Sequence, residues 1–184
     1  MKEADDSICG MRERIILFVL AMSLATTSVA KNPAFSSSRI SAGGRFHAGH
    51  SAFDELPFDD GDVSYALAYE IHEYDAFWQI VLDYAPNISG TNSTTDTVIT
   101  PQLNLIAKDG VWRGGIGILK SYLRDDDGES NWTDLYWQFI LGLELRLFRL
   151  EIEAHAYYVF EKWGEVDEFD IDELEFGVWM KYAF

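Results

Sequence analysis

The chain has 184 residues, with 31 Asp and Glu against 14 Lys and Arg, a formal net charge of −17, and 48% hydrophobic residues. That length suits one domain with its own core, and so large an acid excess argues against a nucleic-acid partner, because phosphate binding needs cationic side chains. Cys9 is the only cysteine, which excludes a disulfide within the chain.

The N-terminal 30 residues read as an extension followed by a cleavable signal peptide. In residues 11–30, "MRERIILFVLAMSLATTSVA", Arg12 and Arg14 precede an apolar run from Ile15 to Leu24. A small-x-small ending follows at Ser28-Val29-Ala30. The apolar run falls short of the roughly 20 residues that a spanning helix needs, and cleavage is expected after Ala30. "MKEADDSICG" before it is acidic and fits no part of a signal peptide, so Met11 is a second candidate start. Removing residues 1–30 takes away Lys2, Arg12 and Arg14 with Glu3, Asp5, Asp6 and Glu13, which moves the net charge from −17 to −16. Residues 31–38 read as a flexible lead-in, and residues 39–184 as one domain.

That domain alternates with a period of two. The first strand is placed at "RISAGGRFHAGHSAF", residues 39–53, with Ile40, Ala42, Phe46, Ala48 and Ala52 facing one way and Arg39, Arg45 and His47 the other. Val63, Tyr65, Leu67, Tyr69 and Ile71 then oppose Ser64, Ala66, Ala68, Glu70 and His72. Trp78, Ile80, Leu82 and Tyr84 oppose Gln79, Val81 and Asp83, and Ile99, Pro101, Leu103 and Leu105 oppose Thr100, Gln102 and Asn104. Trp112, Ile116, Ile118 and Tyr122 oppose Arg113, Gly115, Gly117 and Ser121, with Lys120 interrupting the apolar side. Residues 134–160 look like one apolar segment, but Leu135, Trp137, Phe139, Leu141, Leu143 and Leu145 alternate with Asp134, Gln138 and Glu144. After a few turn residues the phase reverses at Leu150 to Phe160. A helix would group its apolar residues at i, i+3, i+4 and i+7, so this is a hairpin of two long strands. The last strand sets Leu174, Phe176, Val178, Met180, Tyr182 and Phe184 against Glu173, Glu175, Gly177 and Lys181.

Connections alternate too. Links at 73–76, 108–110 and 146–149 are short, whereas 54–62, 87–96, 125–131 and 164–170 are long and polar. The predicted fold is an all-β, up-and-down antiparallel eight-stranded barrel with tight turns at one end and long loops at the other. A soluble ligand-binding barrel would turn the greasy face inward. The charged opposite face and the aromatic residues near strand ends favour the outward reading: Tyr84, Tyr122, Trp132, Phe160 and Trp163 lie toward the loops, and Phe77, Trp112, Tyr182 and Phe184 toward the turns.

The ending "EFGVWMKYAF", with Met180, Tyr182 and Phe184 at alternate positions, resembles the C-terminal signature of bacterial outer-membrane β-barrel proteins. The resemblance covers roughly residues 39–184. It implies an outer-membrane location after export, a C-terminal assembly signal read by the barrel-assembly machinery, and lipid and lipopolysaccharide as surroundings.

Eight strands enclose little more than their own side chains, so a general diffusion pore is not expected. Arg113, Glu144, Glu151 and Lys181 come from consecutive strands at similar depth and are expected to form a lumen charge network, whose pairing offsets desolvation. A narrow ion path along such charges is the channel alternative. His72 and His155 face inward at what reads as different depths. For catalysis, small outer-membrane barrels include lipid A-modifying enzymes; His47 and Ser51 share a face near the outer end of the first strand and are the candidate base and nucleophile. Asp59, Asp60, Asp125, Asp126, Asp127, Asp167 and Glu168 form an acidic rim of the outer loops, able to meet divalent cations. "DDDGE" lacks the spacing of a calcium loop, and neither a dedicated metal site nor a cofactor is expected. The reading is a structural or surface-interaction protein, with a lipid A-modifying enzyme or a narrow channel or small-solute transporter as alternatives.

Overall fold

The computed structural model describes residues 37–49, 56, 58–86, 88, 95–125, 128–147, 150–163 and 171–183. The signal-type segment 1–30, the lead-in up to residue 36, and Ser51, Asp126, Asp127, Asp167, Glu168 and Phe184 lie outside them.

Ten strands form one antiparallel sheet: β1 (Ser37–Phe46), β2 (Val63–Glu73), β3 (Ala76–Pro86), β4 (Thr95–Asp109), β5 (Trp112–Leu119), β6 (Tyr122–Asp125), β7 (Ser130–Trp132), β8 (Tyr136–Leu147), β9 (Leu150–Phe160) and β10 (Glu175–Ala183). The sheet closes because β1 pairs with β10, from Arg39 opposite Ala183 to Phe46 opposite Phe176. Eight staves result from ten strands because β5 and β6 lie end to end along β4, at residues 102–109 and 95–99, and β8 and β7 lie end to end along β5 and β6. The break between them falls at Lys120 and Ser121, where the apolar alternation is interrupted. Ser121 is fully buried there, its hydroxyl on Thr100 at 2.7 Å and its amide donating to Thr133 Oγ1 at 3.0 Å. The hairpin of β6 and β7 carries the sheet beyond the barrel proper.

Closure comes from hydrogen bonding, and the sidedness comes from alternation. In β2, Ser64, Ala66, Ala68, Glu70 and His72 are buried while Tyr65 and Leu67 are more than half exposed. In β10, Glu175, Trp179 and Lys181 are buried, and Phe176, Met180 and Tyr182 are exposed. The large apolar side chains therefore point away from the barrel, and the charged ones point into it.

The two ends differ as the loop lengths suggested. Glu73 faces Ala76, Asp109 faces Trp112 and Leu147 faces Leu150 across two-residue turns. Gly110 takes a φ of 58° in the second of these, the left-handed conformation that tight hairpins require. The first strand is shifted relative to the expectation, starting at Ser37 and ending at Phe46 rather than running 39–53. Past Phe46, among the described residues, a short ladder continues, with the His47 amide donating to Asp62 O at 2.8 Å and the Gly61 amide to His47 O at 3.0 Å. Ala48, expected on the outer face, is buried.

Inside, Trp179 packs with Ala66, Ala68 and Val81. Gly43 lies on the same inward face, and a Cβ there would come within 2.9 Å of the Trp179 ring, so the indole occupies space that a side chain at 43 would need. Phe77, placed by sequence in the turn-side aromatic belt, is instead inward and buried with Ile106, Ile140 and Tyr157. Its parity with Gln79 and Val81 explains this. Outside, Trp163 folds over Trp137, Phe139 and Phe160, with ring centroids 5.2–5.9 Å apart, at the loop ends of β8 and β9.

Candidate functional site in the barrel lumen

The lumen divides into two polar regions. Toward the short turns, alternate residues of neighbouring staves bring charges to one level. Lys181 on β10 lies 2.7 Å from both Glu70 on β2 and Glu153 on β9, with its ammonium over the Phe77 ring at 4.4 Å. Each carboxylate has further partners. Glu70 accepts from Ser41 at 3.1 Å and Gln79 at 3.0 Å and contacts His72 Nε2 at 2.8 Å. Glu153 accepts from Arg113 Nε at 3.1 Å and contacts His155 Nε2 at 2.9 Å. Arg113 also pairs with Glu144, Glu144 with Arg146, and Glu151 with both Arg39 and Arg146. Four carboxylates thus meet four permanent cations, Lys181, Arg113, Arg146 and Arg39.

This geometry places the four residues singled out for a charge network in one lattice, though they do not simply pair with one another. Arg113 meets Glu144 directly, whereas Glu151 and Lys181 join through Arg39, Arg146, Glu70 and Glu153. His72 and His155, read as lying at different depths, join the same lattice through Lys181's two carboxylates. Lys108 completes it, with Nζ 3.3 Å from His72 Nδ1.

An amide ladder leaves this lattice toward the loops. Gln79 bonds Glu70, Asn104 bonds Gln79 at 3.0 Å, and Gln138 donates to Asn104 at 2.8 Å and Gln102 at 2.9 Å. Such a connected network keeps buried polar groups satisfied, and it fixes the relative register of β3, β4 and β8.

The loop half is organised around Arg45 and His47. Arg45 pairs with Glu175 through Nε, donates to Gln138 at 3.1 Å through Nη1, and lies over the Tyr157 ring at 4.2 Å. His47 stacks on Phe58 at 3.7 Å; its Nδ1 is 3.1 Å from Glu175 Oε1 and its Nε2 is 2.9 Å from Ser64 Oγ. The hydroxyl beside His47 is therefore Ser64 on β2, and the expected partner Ser51 lies outside the described residues. Above them Leu56, Phe58, Ile88, Leu119, Tyr136 and Val159 form an apolar cap. Beneath the cap is a chamber lined by Arg45, His47, Asp83, Thr100, Gln102, Ser121 and Glu175, with room for about one water molecule.

A Ser64–His47–Glu175 chain has the order of a hydroxyl, a base and its orienting carboxylate. Two features oppose acyl transfer there: the chamber is too small for an ester, and Asp83 beside it would repel a developing oxyanion. Asp59 and Asp60 of the acidic rim are exposed at the turn before β2, where the Asp59 amide donates to Asp62 at 2.8 Å. Asp125 ends β6 and accepts from Thr95 at 3.1 Å. Among the described residues, no group of three His, Cys, Asp or Glu side chains is placed to hold a metal ion. Met180 and Tyr182 face outward from β10.

Eight staves, an apolar exterior and a charged interior make the fold of an outer-membrane barrel. The solved structures similar to the chain include the following two. Neisserial surface protein A, NspA, has 10% sequence identity and a TM-score of 0.49, with 80% of this chain and 96% of that chain covered. Ail, the attachment invasion locus protein of Yersinia pestis, crystallised in complex with the heparin analogue sucrose octasulfate, has 15% identity and a TM-score of 0.33, with 80% and 97% covered. No family model and no curated protein matches the chain.

Proposed function

We propose that this chain is an exported bacterial outer-membrane barrel with a structural or surface-interaction role, its lumen closed by side chains and its long loops presented at the cell surface. The observation that carries this reading is the outward apolar band. Tyr65, Leu67, Leu141, Leu145, Val178, Met180 and Tyr182 are each 46–65% exposed on the barrel wall, in a chain whose buried residues include Glu70, Glu153, Glu175, Arg113 and Lys181. Water would favour the reverse; a hydrocarbon layer favours this arrangement, because lipid tails accept the apolar side chains while the closed sheet pairs the backbone of each stave with its neighbours.

In this reading the Met180, Tyr182 and Phe184 face serves the barrel-assembly machinery, and the acidic loops meet lipopolysaccharide through divalent cations. The paired charges and the apolar cap fill the lumen, which speaks against a general pore. A lipid A-modifying activity is the second reading, and the Ser64–His47–Glu175 chain favours it. Covalent labelling by a fluorophosphonate, lost in Ser64→Ala, would establish it.

The main reading is tested by fractionating cells that express the protein and comparing gel mobility of the detergent-extracted form with and without boiling. Recovery in the outer membrane with a heat-modifiable band is expected. Recovery as a soluble periplasmic protein would overturn it.

A further inference from the structure

In the loop half, one buried carboxylate oxygen has no partner among the described residues. Asp83 is 3% exposed; Oδ2 takes a long hydrogen bond from Gln102 at 3.3 Å, the Ser64 hydroxyl lies close to the carboxylate, and Oδ1 meets no donor in hydrogen-bond geometry among the described residues. The side chain lines the chamber beneath the apolar cap. Arg45 is the one permanent cation among the described residues lining that chamber, and its Nε and Nη1 are committed to Glu175 and Gln138. His47 turns one ring nitrogen to Glu175 and the other to Ser64. Two buried carboxylates, Asp83 and Glu175, therefore face one guanidinium among the described residues that line the chamber. An uncompensated buried charge costs several kcal/mol, and a cation in the chamber would relieve it.

The other groups around Asp83 are oxygen donors. Thr100 is directly opposite in the β3–β4 register, Ser121 is bonded to Thr100, and Gln102 is the next inward residue of β4. Carboxylate, hydroxyl and amide oxygens are ligands for hard cations. Two carboxylates against one guanidinium leave a formal charge of minus one, which a cation of charge one neutralises.

We propose that this chamber binds one small monovalent cation, with the size and oxygen preference of sodium, against Asp83, with Thr100, Ser121 and Gln102 completing its shell. The ion ties β3, β4 and the β5–β6 junction together at the level where the barrel passes into its loops. The site stands on the chamber's own geometry, and it holds whether the exterior faces lipid or a detergent belt.

The test is urea unfolding of the detergent-folded protein, read as loss of the unboiled folded band, in sodium chloride and in choline chloride at equal concentration. Choline is too large for a water-sized chamber and controls for ionic strength. Sodium at ten times its dissociation constant lowers the unfolded-to-folded ratio about tenfold relative to choline. Asp83→Asn keeps the shape and removes the charge, and it is expected to unfold identically in the two salts. Thr100→Val, which leaves the carboxylate, reduces the difference and serves if Asp83→Asn does not fold; an undiminished difference in it counts against the site. Glu151→Gln at the opposite rim retains the full difference. Equal unfolding of the unmodified protein in both salts overturns the proposal, leaving water or a protonated Asp83 in the chamber. A sodium preference that persists in Asp83→Asn overturns it too, moving the ion to the acidic loops.

Discussion

The turn-side and loop-side halves of the lumen use the same residue types to different ends. At the turn side, Glu70, Glu144, Glu151 and Glu153 each contact a permanent cation, and Lys181 spans two of them. At the loop side, Arg45 serves Glu175 while Asp83 keeps an unpaired oxygen. The first half is a lattice in which each of the four carboxylates has a cationic partner. The second has slack, concentrated at the chamber beneath the apolar cap. The proposed ion would take up that slack, at the one buried carboxylate oxygen without a partner among the described residues.

Lys181→Met breaks the comparison hardest. It leaves Glu70 and Glu153 buried with one cationic partner fewer, a loss of about 3–5 kcal/mol, and the urea midpoint of the folded band should fall accordingly. Next comes the wall: Leu141→Arg puts a charge on the exposed face of β8, at a cost of about 2–4 kcal/mol near a bilayer midplane. Refolding yield in lipid vesicles reports it, and an unchanged yield would argue that this face never meets lipid. Gly43→Ala asks how tightly the lumen is packed, since its Cβ would meet Trp179 and the Val178 carbonyl. About 1–3 kcal/mol of overpacking is expected from the shift in urea midpoint. Arg146→Ala probes the rim of the lattice, where the guanidinium side chain is 64% exposed. It should cost no more than about 1 kcal/mol, because water screens the pair. Asp83→Asn in choline chloride sharpens the contrast most, with no loss of stability expected, because it removes a charge that the protein leaves unpaired.

The staves themselves were legible from sequence, because a period of two is a local property: Leu141, Leu143 and Leu145 declare one face whatever surrounds them. The breaks were harder. Phe46 ends β1 earlier than its alternation suggested, and Lys120 marks the place where β5 gives way to β6. Phe77 read as a belt aromatic from its nearness to a turn, yet its parity already put it inside with Gln79. Of the site, the inward parity of Glu70, Asp83, Glu153 and Glu175 was visible, but their partners were not. Lys181 finds Glu70 more than a hundred residues away, and His47 finds Ser64 on the neighbouring stave.

Alternation and loop length, both written along the chain, determined by themselves that this protein forms up-and-down staves with one apolar and one charged face. Only the closed tertiary structure decided which charges share a level. Depth in a barrel depends on the stagger accumulated from stave to stave around the ring, and a shift by one residue would turn every side chain of a stave to the other face. That stagger places Lys181 between Glu70 and Glu153, and it leaves Asp83 and Thr100 side by side on the wall of a water-sized chamber.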